Sequence, residues 1–111
     1  MVKLTKDNFD ETISEGRVLI DFSAIWCGYC RIMTPVVEEI ASHYSDTIKV
    51  FAVDVDKDED IATRYDVEAF PTYILFENGI EINRHTGASS SEELEDMLTQ
   101  WLHAAHVSQS P

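Results

Sequence analysis

The hydrophobic and polar positions of this chain follow two periods in turn, one typical of strands and the other of helices. Residues 17–22 form a near-continuous apolar run, which predicts a strand buried on both of its faces. From 33 to 44 the apolar residues recur every three or four positions, as in an amphipathic helix, and Pro35 predicts a kink within it. Residues 48–55 and 73–76 are rich in β-branched and aromatic residues and predict two further strands.

Shorter elements fill the intervals between these segments. Asn78 and Gly79 are a strong signal for a two-residue hairpin turn, after which a strand returns over residues 80–85. The remaining predicted elements are an edge strand at 2–4, a short helix that Thr5 or Asp7 caps and that ends near Ser14, a helix at 59–65, and a last helix to Ala105 that starts at a capping box of Ser89 with Glu92 or of Ser90 with Glu93. The predicted order is therefore βαβαβαββα.

This order predicts an α/β fold. Strands that alternate with helices build a mostly parallel sheet, the final hairpin adds an antiparallel edge to it, and helices cover both faces. The result is a central mixed β-sheet in one domain, because 111 residues suit a single hydrophobic core. We predict that the domain spans residues 1–106 and that residues 107–111 form a flexible C-terminal tail.

The charge of the chain limits the partners that it can bind. Eight Lys and Arg against 21 Asp and Glu give a net charge of −13, which argues against nucleic acid and against anionic membrane surfaces. No apolar run approaches the roughly 20 residues of a membrane helix, and residues 1–7 lack the apolar core of a signal peptide. We therefore predict a cytoplasmic protein, although the mature form of a secreted chain would look the same.

The chemistry of the chain centres on its only two cysteines, Cys27 and Cys30. Cys27 falls where the helix after the buried strand begins, and the free N–H groups and dipole of a helix N-terminus favour its reactive thiolate form. Cys30 lies one helical turn later, close enough to form a disulfide with Cys27 and more buried. This spacing indicates a reversible dithiol–disulfide couple. A zinc site would need two further ligands, and the four histidines are scattered, so we predict no metal.

Around this pair the sequence resembles the thioredoxin family, and the resemblance extends over residues 2–105. The matching segments are 18–24, 26–31, Pro35, 53–56, 70–72, Phe76 with 78–79, and 87–88. A lone Cys-x-x-Cys would be weak support, whereas this one stands between an upstream Asp21 and a downstream Pro71. The resemblance implies the thioredoxin fold and a thiol–disulfide oxidoreductase that reduces protein disulfides.

The resemblance also implies roles for individual residues. Cys27 would attack a substrate disulfide and Cys30 would resolve the resulting mixed disulfide. Asp21 would be a buried carboxylate that exchanges a proton with Cys30. Pro71 would be a cis-proline packed against the cysteines. The residues expected to tune the pair are Gly28, Tyr29 and Pro71, and those expected to bind substrate are Trp26, Phe70, Thr72, Gly87 and Ala88.

No bound cofactor is implied, because thioredoxins receive their electrons from NADPH through a flavoprotein, thioredoxin reductase. The implied partners are that reductase and disulfide-containing protein substrates, and the expected state is a monomer. Some members of the family instead act as stable subunits of larger complexes without using their thiols, so a non-catalytic binding role stays open.

Three positions depart from the family pattern. Tyr29 replaces the usual proline and restores a backbone N–H, expected near the Cys27 sulfur, which would make the protein more oxidising, as a disulfide isomerase or oxidase is. Ala52 replaces a lysine of many bacterial members, and without that cation we expect a high pKa for Asp21. Ser23 replaces a tryptophan, which changes packing rather than chemistry.

Overall fold

The computed structural model describes residues 1–108, with side chains as far as Trp101, and its elements follow the predicted order. They are β1 (Lys3–Leu4), α1 (Phe9–Ile13), β2 (Arg17–Ser23), α2 (Gly28–His43), β3 (Lys49–Asp54), α3 (Glu59–Arg64), β4 (Thr72–Glu77), β5 (Ile80–Thr86) and α4 (Ser91–Ser108). Of the two predicted capping pairs for α4, the structure forms Ser90 with Glu93, whose N–H lies 3.1 Å from the Ser90 Oγ. No helix among the described residues is long and apolar enough to cross a membrane.

The five strands of the described residues form one mixed sheet in the order β1-β3-β2-β4-β5. β1 and β2 each pair with β3 in parallel, whereas β4 runs antiparallel both to β2 and to β5. All strands except β4 therefore point the same way. Between β4 and β5 the chain turns at Asn78 and Gly79, whose φ angles of 50° and 86° fit the predicted two-residue hairpin. The predicted α/β class with a mixed sheet is confirmed.

Helices cover both faces of this sheet, as predicted, and the side chains of β2 alternate between the two faces. Val18, Ile20 and Phe22 join the buried cluster to which α1 and α3 contribute. Leu19 points to the other face, where α2 and α4 pack. The helix residues buried on that second face are Met33, Val37, Ile40, Leu94 and Leu98. Because strand side chains alternate with a period of two, Asp21 lies on the same face as Leu19, beneath α2.

Two helices have boundaries that differ from the predicted ones. α1 begins at Phe9 with Asn8 as its N-cap, after a turn that the carbonyl of Thr5 closes, whereas the predicted cap was Thr5 or Asp7. α4 continues to Ser108, two residues into the predicted flexible tail, because no glycine or proline interrupts it. The rest of that predicted tail, 109–111, lies outside the described residues.

Candidate active site at the start of the second helix

Cys27 lies at the N-cap of α2, directly after the loop that follows β2. Its N–H donates to the carbonyl of Ala24 at 3.1 Å, which closes that loop. Its Sγ accepts the N–H of Cys30 at 3.2 Å. The sulfur therefore takes the place that a serine or aspartate oxygen occupies in a capped helix, in front of the free N–H groups of the first turn. Such a position favours a negative charge on the sulfur.

The two cysteines are both reduced and buried, with 8% of Cys27 and 4% of Cys30 exposed. The Cys27 thiol donates to the carbonyl of Phe70, with the sulfur and oxygen 3.7 Å apart. Burial, together with the hydrogen bond to Cys27, raises the pKa of the Cys30 thiol to about 12. Cys30 therefore needs a base before it can act as a nucleophile at neutral pH. Within the described residues, no group of three or more His, Cys, Asp or Glu could hold a metal ion.

Asp21 is a candidate for that base. It is buried, directly opposite Ala52 in β3 and Tyr73 in β4. Burial raises the pKa of its carboxyl from 3.8 to about 7, the direction that the sequence predicts. Ala52 places only a methyl group beside it. A cavity of about 290 Å³ borders Asp21, Cys30 and Ala52 and extends to the exposed Arg31, which gives the carboxyl a route to solvent.

The loop before β4 completes the site from the other side. The peptide bond between Phe70 and Pro71 is cis, and the Pro71 carbonyl accepts the N–H of Gly87 at 2.8 Å. Gly87 has a φ of 95°, a conformation that favours glycine, and this hydrogen bond holds the end of β5 beside Pro71. Thr72 is buried, and its hydroxyl donates to the carbonyl of Ala69 at 2.6 Å. The side chain of Thr72 is therefore already used within the protein, and its predicted substrate contact stays a prediction.

An exposed apolar surface surrounds the two cysteines, and we call it the dithiol surface. Its large side chains each have more than half of their area exposed: Ile25 at 63%, Trp26 at 66%, Tyr29 at 56% and Ile32 at 68%. The ring of Trp26 meets that of Phe70 edge-on, with centroids 5.8 Å apart, and its Nε1 donates to Asp56 at 3.1 Å. These two contacts hold the indole in a fixed position while leaving most of it open to a partner.

The dithiol surface includes residues that were not predicted to bind substrate, Ile25 and Ile32. A signal for Ile32 is present in the sequence, because it is apolar and yet falls outside the apolar stripe of α2. Ala88, which was predicted, is exposed and borders the same groove as Ile32. Gly28, the first residue of α2, has open space where a side chain would lie, so packing does not require glycine there.

The hydrogen bond to the Cys27 sulfur comes from the N–H of Cys30. Among the described residues the N–H of Cys30 donates to this Sγ, and the N–H of Tyr29 does not. The reason is the geometry of the helix start, where an N-cap side chain accepts from the second or the third helical residue, here the third. The N–H of Tyr29 is instead one of the free first-turn groups of α2.

A mixed sheet with a reduced Cys-x-x-Cys pair at the start of the helix after its central strand defines a thiol–disulfide oxidoreductase. The model of the thioredoxin family matches residues 1–100. A thioredoxin of Staphylococcus haemolyticus is 37% identical over 102 residues, 92% of this chain and 98% of that protein. A chloroplastic thioredoxin Y of Oryza sativa subsp. japonica is 40% identical over 105 residues, 93% of this chain and 62% of that protein. The chain belongs to the thioredoxin family.

Proposed function

We propose that this chain reduces disulfide bonds in other proteins, with Cys27 as the nucleophile. The observation that carries the proposal is the hydrogen bond from the Cys30 N–H to the Cys27 Sγ at the N-cap of α2. A hydrogen bond to an ionised acceptor is stronger than one to a neutral acceptor, so this contact stabilises the thiolate. Cys30 is the resolving thiol, and Asp21 is the base that takes its proton.

The proposed reaction consists of two exchange steps. The Cys27 thiolate attacks one sulfur of the substrate disulfide, so that a mixed disulfide forms and the other substrate sulfur leaves as a thiolate. Cys30 then gives its proton to Asp21 and attacks the Cys27 sulfur, which forms the Cys27–Cys30 disulfide and releases the second substrate thiolate. Two electrons pass from the dithiol to the substrate. A pKa of about 7 suits Asp21 to accept and return a proton near neutral pH.

Substrate binding is assigned to the dithiol surface together with the loop before β4. The Phe70 carbonyl lies 3.7 Å from the Cys27 Sγ, which suits main-chain pairing with an extended substrate segment beside the reacting sulfur. Trp26, Gly87 and Ala88 would flank that segment. The net charge of −13 favours substrates with basic surfaces.

The oxidised pair must be reduced again from outside the chain. We assign this step to NADPH acting through thioredoxin reductase, as the family resemblance implies, with no cofactor bound to the chain itself. The protein would then work as a monomer in the cytoplasm, with the reductase and disulfide-containing proteins as its partners. These assignments follow the family, whose members exchange electrons through the same pair of thiols.

Replacing Cys30 by Ser is expected to trap substrates as mixed disulfides on Cys27. The first exchange step does not use the sulfur of Cys30 and the second does, so the adduct persists until a reductant is added. The measurement is mass spectrometry of Cys30→Ser after incubation with a disulfide-containing protein. The double variant Cys27→Ser/Cys30→Ser is the control and should form no adduct. Absence of adduct in Cys30→Ser, with a substrate that the parent reduces, would show that Cys30 is not the resolving thiol.

A more oxidising function, as an isomerase or oxidase, is the competing proposal that Tyr29 motivates. The reduction potential of the Cys27–Cys30 pair separates the two, since reductants such as thioredoxin lie at about −270 mV and disulfide isomerases at about −180 mV. We expect a value closer to the first, because the hydrogen bond to the sulfur comes from Cys30 and is independent of the residue at position 29. Equilibration with a glutathione or dithiothreitol buffer measures it.

Tyr29→Pro is expected to lower this reduction potential by about 6–21 mV. Proline deletes one free N–H at the N-terminus of α2, where such groups stabilise an anion by about 0.3–1 kcal/mol, and 1.4 kcal/mol corresponds to about 30 mV. Proline is compatible with the first turn of a helix, so the fold should be retained. Tyr29→Ala keeps the N–H and is the matched control. A potential in Tyr29→Pro equal to or above that of Tyr29→Ala would refute this electrostatic contribution.

A further inference from the structure

One row of residues crosses the whole sheet on the face that α2 covers. From β1 to β5 its members are Lys3, Ala52, Asp21, Tyr73 and His85, each directly opposite the next. Residues directly opposite each other in antiparallel strands place their side chains on one face, with Cβ atoms about 5 Å apart. Asp21, Tyr73 and His85 are therefore adjacent side chains, although the chain separates them widely.

Three atoms of this row are buried without a hydrogen-bond partner, namely Asp21 Oδ1, Tyr73 Oη and His85 Nε2. Only two other buried side-chain atoms of the described residues share that condition. Tyr73 itself is fully buried in the cluster that contains Leu19 and Leu75. An unpartnered buried polar atom is costly, so each of these three groups would gain from a neighbouring polar partner.

We propose that Tyr73 is a positioning residue of the dithiol site, which donates its phenolic O–H to the Asp21 carboxylate and accepts the Nε2–H of His85. A phenol donates one hydrogen bond and also accepts, so a single hydroxyl serves both neighbours. Small rotations of side chains that are already adjacent, or one bridging water, complete the contacts. The functional part of this inference rests on the proposed role of Asp21 as the base for Cys30.

A hydrogen bond from Tyr73 favours the ionised form of Asp21 and so opposes the effect of burial. The titratable and charged groups around the Asp21–Tyr73 pair are Cys27, Cys30 and Arg31 from α2, His85 from β5, Lys3 from β1, Asp54 from β3 and the amino group of Met1. Tyr73 itself lies directly opposite Asp21 in the neighbouring strand and carries a hydroxyl hydrogen that it can donate. Loss of its hydroxyl should raise the pKa of Asp21 further.

The test is the titration of Asp21 in the reduced protein, followed by NMR of its labelled carboxyl carbon. In Tyr73→Phe we expect the pKa of Asp21 to rise by about one unit relative to the parent. Tyr65→Phe is the matched control, because Tyr65 packs against Phe9 and Phe76 on the other face of the sheet, and it should leave the pKa of Asp21 unchanged. An equal pKa of Asp21 in Tyr73→Phe and in the parent overturns the proposal.

His85→Phe tests the outer half of the row. We expect it to raise the pKa of Asp21 by less than Tyr73→Phe does, since His85 acts only through the Tyr73 hydroxyl. In the double variant the shift should equal that of Tyr73→Phe alone, because the hydroxyl through which His85 acts is already gone. Additive shifts in the double variant would overturn the shared use of this hydroxyl.

The rate at which Cys30 resolves a preformed mixed disulfide separates this inference from the proposed function. If the pKa of Asp21 rises by about one unit, its ionised fraction at a pH equal to the pKa of the parent falls about fivefold, and the resolution rate at that pH should fall to match. If Tyr73→Phe shifts the pKa of Asp21 but leaves the resolution rate unchanged, the Tyr73 hydrogen bond is supported and the role of Asp21 as the base is refuted. If Tyr73→Phe does not shift the pKa of Asp21, the hydrogen bond is refuted, whatever the resolution rate.

Discussion

Replacing Cys27 by Ser is expected to lower the rate of protein disulfide reduction about a thousandfold or more. A serine hydroxyl stays protonated at neutral pH and cannot attack a disulfide as a thiolate does. Cys30 cannot take over, because only 4% of it is exposed and its pKa is raised to about 12. The measurement is the reduction of insulin disulfides followed by light scattering, with dithiothreitol as the electron source so that no reductase is needed.

Cys30→Ser is the matched control, since it lacks the second thiol but keeps the Cys27 nucleophile, so it should still form a mixed disulfide when no dithiothreitol is present. Substantial turnover in Cys27→Ser would place the nucleophile elsewhere and end the proposed mechanism. The non-catalytic role would be favoured if a partner protein bound the parent and Cys27→Ser equally well and underwent no thiol–disulfide exchange with the parent. The exposed apolar dithiol surface would then serve docking alone.

Much of the dithiol site could be predicted because its parts lie within single, strongly patterned segments. The apolar run of β2 indicates that Asp21 is buried, and the stripe of α2 places Cys27 at a helix start. The motif does not reveal which amide faces the sulfur, since that depends on the backbone angles of Cys27, a φ of −85° and a ψ of 112°. The sequence therefore predicted the Tyr29 N–H near the sulfur but did not reveal the hydrogen bond from Cys30 that the structure shows.

The row through Tyr73 could not be predicted from the sequence. Within the apolar segment 73–76 an aromatic residue indicates only packing, and nothing local marks its hydroxyl as important. Its relation to Asp21 and His85 arises from the register of three strands that are distant in sequence, and register depends on how the whole sheet assembles. A shift of one residue in β4 would turn Tyr73 to the opposite face.

Replacing Asp21 by Asn is expected to stabilise the folded protein at pH 8 by up to about 4 kcal/mol. The pKa of Asp21 is about 7 in the folded chain, against 3.8 for an unperturbed carboxyl, so the unfolded chain loses this proton at lower pH. Between about pH 4 and pH 7 the unfolded state therefore binds fewer protons, and the free energy of unfolding of the parent falls as the pH rises. Asparagine stays neutral, so the gain should be absent near pH 4 and complete above pH 7. Urea unfolding of both reduced proteins across this range measures it.

Asp54→Asn is the matched control for this pH dependence. Asp54 is also buried, at 4% exposed, and its carboxylate accepts the N–H of Asp56 at 3.0 Å, so this variant measures what the same change does at a buried carboxylate that is already hydrogen-bonded. If Asp21→Asn raised the free energy of unfolding as much at pH 4 as at pH 8, the stabilisation would come from packing. The proposal that Asp21 titrates near neutral pH would then be refuted. The same substitution should slow resolution by Cys30, because it removes the base. Stability and activity would then change in opposite directions, as expected of a buried carboxylate that is retained for its chemistry.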